Sequence, residues 1–112
     1  MRIHHLALRT HHLDALVRFY SDLGLGVFRE QPGYSVWLRA GETVLMLEQA
    51  EPDEPTVVPS RELIAFAVEN LAAVEEQLRA RGIAIEARTE HTLYFRDPDG
   101  RRLGVSDYAF GH

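Results

Sequence analysis

The feature that most constrains this chain is an internal repeat with an offset of 58 residues. That offset aligns the apolar segment 5–8 (HLAL) with segment 63–66 (LIAF), and it aligns Leu45 with Leu103. Each half carries the pattern of a strand, a helix and three further strands. One such half cannot bury its sheet face alone, so two must pair, within the chain or between chains. The sequence therefore predicts an α+β fold of two βαβββ modules.

Hydrophobic periodicity and turn residues place the elements of each module. Two helices are expected, the first from Leu13 to a C-terminal Gly24 and the second from the N-cap Asn70 to Gly82. The acidic, proline-rich residues 50–61 are interpreted as a linker between module one (1–49) and module two (62–112), within a single domain, 1–112. The strands are predicted at 3–9, 26–30, 34–39, 43–48, 62–68, 83–88, 91–96 and 102–106.

Composition excludes several functional classes. The chain has no cysteine, which rules out disulfides, thiolate zinc sites and a cysteine nucleophile. Its 12 basic residues against 17 acidic ones give a net charge of −5, which argues against a nucleic-acid or anionic-membrane surface. No apolar run is long enough to span a bilayer, and the N-terminus lacks a secretory signal pattern. We therefore expect a cytoplasmic protein with no nucleic-acid or membrane partner.

Four segments carry a resemblance to a known family: IHHLALR at 3–9, RFYSDLGL at 18–25, LIAFAVEN at 63–70 and LYFRDPDGRRLGV at 93–105. With them the chain resembles the vicinal oxygen chelate superfamily, which contains glyoxalase I, bleomycin-resistance proteins and extradiol dioxygenases. The resemblance implies that the two modules form an open, cup-shaped sheet with the helices on its convex side. It also implies a homodimer.

The same resemblance places four metal-ligand positions on the first and last strand of each module. They correspond here to His5, Met46, Leu63 and Gly104, so only His5 retains a metal-binding side chain. Glu48 follows two residues after Met46 on the same strand face and is the other candidate ligand. Because two ligands are fewer than the three that usually hold a catalytic metal, the chain is expected to lack a metal cofactor. A divalent metal held by His5 and Glu48 is the alternative.

The remaining candidate residues favour binding of a small organic molecule. Met46, Leu63 and Gly104 make the floor of the predicted cup apolar and leave space beside the glycine. Trp37 and Tyr94 offer flat faces for stacking, although packing between the modules explains them equally well. Arginines at the rim could bind an anionic or carbonyl group, although surface solubility explains each one alone. The predicted ligand-binding residues are His5, Arg9, Trp37, Met46, Glu48, Leu63, Tyr94, Arg102 and Gly104.

The leading hypothesis is therefore a metal-free glyoxalase/bleomycin-resistance-like protein. It would bind an aromatic or carbonyl-bearing metabolite or antibiotic, and no catalytic residue is predicted. The alternative is a metal-dependent lyase, isomerase or dioxygenase of the same fold that uses His5 and Glu48. Glu48 is expected to form a salt bridge with an arginine or, in the enzyme, to act as a general base beside His5.

Overall fold

The computed structural model describes residues 1–58 and 60–110, in which the order strand, helix, strand, strand, strand occurs twice. The chain divides into two compact units, residues 1–58 and 59–112. The elements of the first unit are β1 (His5–Thr10), α1 (Leu13–Asp22), β2 (Gly26–Gln31), β3 (Ser35–Ala40) and β4 (Thr43–Gln49). Those of the second are β5 (Ile64–Ala67), α2 (Leu71–Ala80), β6 (Ala87–Arg88), β7 (Thr92–Arg96) and β8 (Arg102–Ser106). The predicted pair of βαβββ modules is confirmed.

The first unit contains a four-stranded sheet in the order β1-β4-β3-β2. β1 and β4 run parallel, while β3 is antiparallel to both of its neighbours. The buried apolar residues of β3 and β4 lie at alternate positions because they share one face of the pleated sheet. Helix α1 presents buried apolar side chains at three- and four-residue spacing, which is the pattern of a helix with one packed stripe. The core consists of Leu13, Leu16, Tyr20, Val36, Leu38, Leu45 and Leu47.

The second unit repeats this sheet in the order β5-β8-β7-β6, with β5 and β8 parallel. Its core consists of Leu71, Leu78, Leu93, Phe95, Leu103 and Val105. In each unit one sheet face is thus buried. We call the opposite face the open face of that unit.

The two helices begin differently at aligned positions. The Asn70 side chain accepts a hydrogen bond from the Ala73 amide at 3.0 Å and so caps α2. His12 occupies the corresponding place before α1 and makes no side-chain cap hydrogen bond. An asparagine oxygen can replace the missing helical acceptor, whereas a histidine ring is a poor substitute.

Strand β6 is shorter than predicted. A strand was expected over residues 83–88, but only Ala87 and Arg88 form ladder pairs, with Tyr94 and Leu93. Ile83 closes the helix instead, since its amide donates to the Leu78 carbonyl at 2.9 Å, while the Glu86 amide donates to the Tyr94 carbonyl at 2.8 Å. The alternation of apolar and polar residues cannot distinguish a strand from an extended segment in which a backbone amide donates to the last turn of a helix.

The predicted linker is partly ordered against the first unit. The buried residue Ala50 donates its amide to the Thr10 carbonyl at 2.8 Å, which continues the pairing of β4 with β1. Glu54 then bonds to side chains of β1 and of the turn that follows it. Residues 50–58 therefore belong to the first unit, whereas Pro59 lies outside the described residues.

Candidate functional site

Five of the predicted site residues share the open face of the first unit. In the parallel ladder Ala7 pairs with Met46 and Arg9 with Glu48, while Trp37 on β3 also pairs with Met46. Paired residues on neighbouring strands point to the same side of a sheet. His5 lies on that side as well, because it is two residues before Ala7 on β1.

Arg9 is the centre of an ionic cluster on this face. Its guanidinium donates from Nε to Glu54 Oε2 at 2.8 Å and from Nη2 to Glu54 Oε1 at 2.7 Å, which is a two-point contact. A third contact joins Arg9 Nη1 to Glu48 Oε1 at 3.5 Å. The structure thus places Glu48 beside an arginine, one of the two roles predicted for it.

Glu54 is a residue that the sequence analysis assigned only to the linker. The hydrogen bonds from Arg9, together with one from the Glu51 amide, lower the pKa of Glu54 to about 2. The Arg9 pKa is raised in turn by the hydrogen bonds to Glu54 and by the nearby negative charges. The His11 ring nitrogen Nε2 lies 2.7 Å from the Glu54 carbonyl oxygen, so a second contact fixes this segment. No short-range pattern signals a pair 45 residues apart.

His5 and Glu48, the alternative metal ligands, lie far apart on the open face of the first unit. Glu48 pairs with Arg9, four residues after His5 on the same strand, so the two lie about 13 Å apart along the ladder at roughly 3.3 Å per residue. His5 Nδ1 is instead 2.9 Å from His4 Nδ1. Across residues 1–58 and 60–110 the structure brings together no group of three or more histidine, aspartate or glutamate side chains that could hold a metal. The side chains present therefore do not fit a metal bound through this pair.

An aromatic and arginine cluster surrounds Trp37. The pairing register of β2 with β3 shifts between Val27 and Arg29, which is a β-bulge with Phe28 at its centre. The bulge brings the successive side chains of Phe28 and Arg29 against Trp37. The Phe28 ring lies 6.1 Å from the Trp37 ring at an interplanar angle of 64°, and Arg29 Cζ lies 5.0 Å from the centre of the Trp37 ring.

Arg39 completes this cluster. Its Cζ atom lies 4.1 Å from the centre of the Phe28 ring. Phe28 and Arg29 were not among the predicted site residues, and strict alternation along β2 would place only one of them on the open face. The adjacent apolar residues Val27 and Phe28 in an otherwise polar strand are the one sequence signal that could have indicated a bulge.

The other four predicted site residues meet on the open face of the second unit. Gly104 pairs with Ala65 on β5 and with Tyr94 on β7. Leu63 Cδ1 lies 3.5 Å from the position that a Cβ atom would take at Gly104, so the leucine fills the space that the sequence predicted beside the glycine. The Arg102 guanidinium lies over Tyr94, with Cζ 4.5 Å from the ring centre, and donates from Nη1 to the Arg61 carbonyl.

The two open faces therefore differ in chemistry. In the first unit Trp37 and Phe28 lie between cations, and a separate acidic group neutralises Arg9. In the second unit Leu63 and Gly104 take the two positions that the resemblance aligned with metal ligands. Both faces can pack against apolar or planar surfaces and donate charged hydrogen bonds at their edges.

Comparison with known families agrees with this architecture. The family model described as Glyoxalase/Bleomycin resistance protein/Dioxygenase superfamily matches residues 2–105. The glyoxalase domain-containing protein RDO1 of Mycosarcoma maydis is 23% identical over 117 residues, which cover 93% of this chain and 66% of that protein. This chain thus spans just under two thirds of the length of that relative.

Solved structures show the same fold. The lactoylglutathione lyase of Agrobacterium tumefaciens superposes with a TM-score of 0.75 at 24% identity, covering 94% of this chain and 92% of that one. A possible glyoxalase of Bacillus cereus reaches a TM-score of 0.79 at 20% identity, covering 95% and 98% of the two chains. Neither helix in the described part of the chain has the length and apolarity needed to cross a membrane.

Proposed function

This chain belongs to the Glyoxalase/Bleomycin resistance protein/Dioxygenase superfamily, and we propose that it binds a small aromatic or carbonyl-bearing organic molecule without a metal. The observation that carries the proposal is the chemistry of the open faces. Met46, Leu63 and Gly104 stand at three of the four positions where the family resemblance places metal ligands, and aromatic and arginine side chains lie beside them. Such a surface gains affinity from buried apolar contact, and its few polar groups orient the ligand.

The contacts of the first unit support binding rather than metal chemistry. Glu48 lies 3.5 Å from Arg9 and shares this cation with Glu54, so a guanidinium already occupies one side of its carboxylate. His5 lies four residues away on the ladder and is paired with His4. A metal bound at Glu48 would have to compete with the guanidinium and would gain no second protein ligand from His5.

The first prediction combines metal content with ligand binding. The untagged protein is purified, its Ni, Zn, Fe and Mn content is measured, and its melting temperature is recorded against a panel of aromatic and carbonyl compounds. We expect much less than one metal equivalent per chain. We also expect at least one compound to raise the melting temperature to the same extent with and without EDTA, because binding to the folded state alone stabilises it.

The variants His5→Ala and His12→Ala make this test specific. Both remove one exposed imidazole, but only His5 lies on the open face. Stoichiometric metal that is lost in His5→Ala and kept in His12→Ala would overturn the proposal in favour of the metal-dependent enzyme. A melting shift that disappears with EDTA would do the same.

A further inference from the structure

We propose that the cluster of Phe28, Arg29, Trp37 and Arg39 is a binding site for an aromatic carboxylate. This inference rests on the proposed function and specifies the charge of its ligand. The aromatic ring would pack against Trp37 and Phe28, and the carboxylate would accept hydrogen bonds from the two guanidinium groups. The site is built wholly from strands β2 and β3, which the bulge at Phe28 brings into this arrangement.

The charges on this part of the face are unbalanced. One cross-strand row consists of Gly26, Arg39, Val44 and His5, and the next consists of Arg29, Trp37, Met46 and Ala7. Neither row contains a carboxylate. Glu48 lies in the following row, where it faces Arg9 together with Glu54. Within the described part of the chain, Arg29 and Arg39 form no ion pair, and each is held by an aromatic ring alone.

A guanidinium that stacks on a ring keeps its N–H edge available. Arginine can therefore pack on Trp37 or Phe28 through its plane and still donate two parallel hydrogen bonds to a carboxylate. Two such cations beside one aromatic pair attract an anion and repel a cation. The protein's net charge of −5 would suggest a preference for cationic ligands, but the local charge predicts the opposite.

The test uses Trp37, the single tryptophan of the chain, as the reporter. Three nitroaromatic quenchers of nearly equal shape differ in charge: 4-nitrobenzoate, 4-nitrobenzamide and 4-nitrobenzylammonium. The loss of tryptophan fluorescence is measured against the concentration of each, and free N-acetyltryptophanamide corrects for collisional quenching and absorption. We expect saturable quenching by the benzoate with a Kd about tenfold below that of the amide, because charge-assisted hydrogen bonds are the stronger ones. The cation should not saturate.

Arginine variants assign this preference to the cluster. Arg29→Gln and Arg39→Gln should each raise the benzoate Kd about tenfold and leave the amide Kd unchanged. Arg18→Gln removes an exposed arginine from α1 and is the matched control, with no change expected. Should a glutamine variant fail to fold, Arg29→Lys and Arg39→Lys retain the charge, and they should still raise the benzoate Kd because the planar, two-point contact is lost.

The outcomes separate this inference from the proposed function. Equal Kd values for the three quenchers would overturn the proposed preference for an anion. The proposal that the protein binds an aromatic molecule would still stand. If none of the three compounds quenches saturably, the cluster is not a binding site for aromatic carboxylates. The proposed function would still stand if another compound raised the melting temperature. If no compound shifts the melting temperature either, both proposals are wrong.

Discussion

Gly104 shows how much one residue constrains the open face of the second unit. It is a buried glycine in the middle of strand β8, and its backbone has no positive φ. A Cβ atom there would lie 3.5 Å from Leu63 Cδ1, the Leu93 carbonyl oxygen and Thr92 Cγ2, which is ordinary van der Waals distance. A methyl group therefore fits, whereas a larger side chain would displace Leu63 or the neighbouring strand.

We expect Gly104→Ala to raise the free energy of unfolding by about 0.5 kcal/mol, because glycine in a strand carries an entropic cost that alanine avoids. Urea denaturation at constant temperature measures the change. Gly100→Ala is the control, since Gly100 has a φ of 89° and open space around its Cβ position. That variant should lose about 1 kcal/mol through backbone strain. A loss of stability in Gly104→Ala equal to that of Gly100→Ala would contradict the contact distances.

At the scale of elements, residues 50–58 act as a segment tied to the first unit. Arg9 on β1 holds Glu54 at two points, and the turn after β1 holds the same residue through His11. The attachment needs the glutamate to be ionised, because a protonated carboxyl group accepts charge-assisted hydrogen bonds poorly. The pKa of Glu54 is lowered from 4.5 to about 2, so folding favours the charged form.

The stability contributed by Glu54 therefore depends on pH. A carboxylate whose pKa is lower in the folded state stabilises the fold above its unfolded pKa, and the contribution is lost as the pH falls from about 4.5 towards about 2. We expect the urea midpoint of the native protein to fall more steeply over this range than that of Glu54→Gln. The two proteins should differ most above pH 5 and converge near pH 2.

Asp53→Asn is the matched control for this measurement. It removes one negative charge from the neighbouring exposed position and leaves the contact between Arg9 and Glu54 in place. The urea midpoint of each protein is plotted against pH. If the curve of Glu54→Gln runs parallel to that of the native protein while the curve of Asp53→Asn is displaced, overall charge rather than the Arg9 contact stabilises the segment.

Alternation along the strands was enough to predict which residues share a face. It placed His5, Arg9, Met46 and Glu48 together, and the ladder of β1 with β4 has that register. It could not predict the arrangement around Trp37, because the bulge at Phe28 interrupts the two-residue period of β2. Nor could it predict that Glu54 binds Arg9, since that contact depends on the path of a proline-rich segment without periodicity.

At the scale of the whole molecule, the repeat determined the architecture more strongly than composition did. Two modules with the same order of elements follow from the 58-residue offset and its apolar pattern, and both sheets have the same strand order. The net charge of −5 gives no guide to the local chemistry, because Glu48 and Glu54 contact Arg9, whereas Arg29 and Arg39 contact aromatic rings and form no ion pair among the described residues. The proposed preference for an anionic ligand therefore rests on the local distribution of charge within the first unit.

An exposed aromatic pair after β8 favours self-association. Tyr108 and Phe110, which follow β8, are 56% and 83% exposed, and their rings meet edge to face at 5.3 Å. Large aromatic side chains are common at the centre of protein interfaces. We propose that the chain forms a homodimer that buries this pair, so light scattering should give twice the 12.7 kDa mass of one chain.

Phe110→Ser should shift the equilibrium from the dimer towards the single chain. Val58→Ser, which removes an apolar side chain that is 76% exposed, is the control and should not. A mass of one chain at every concentration would contradict the dimer, and equal effects of the two variants would place its interface away from Phe110.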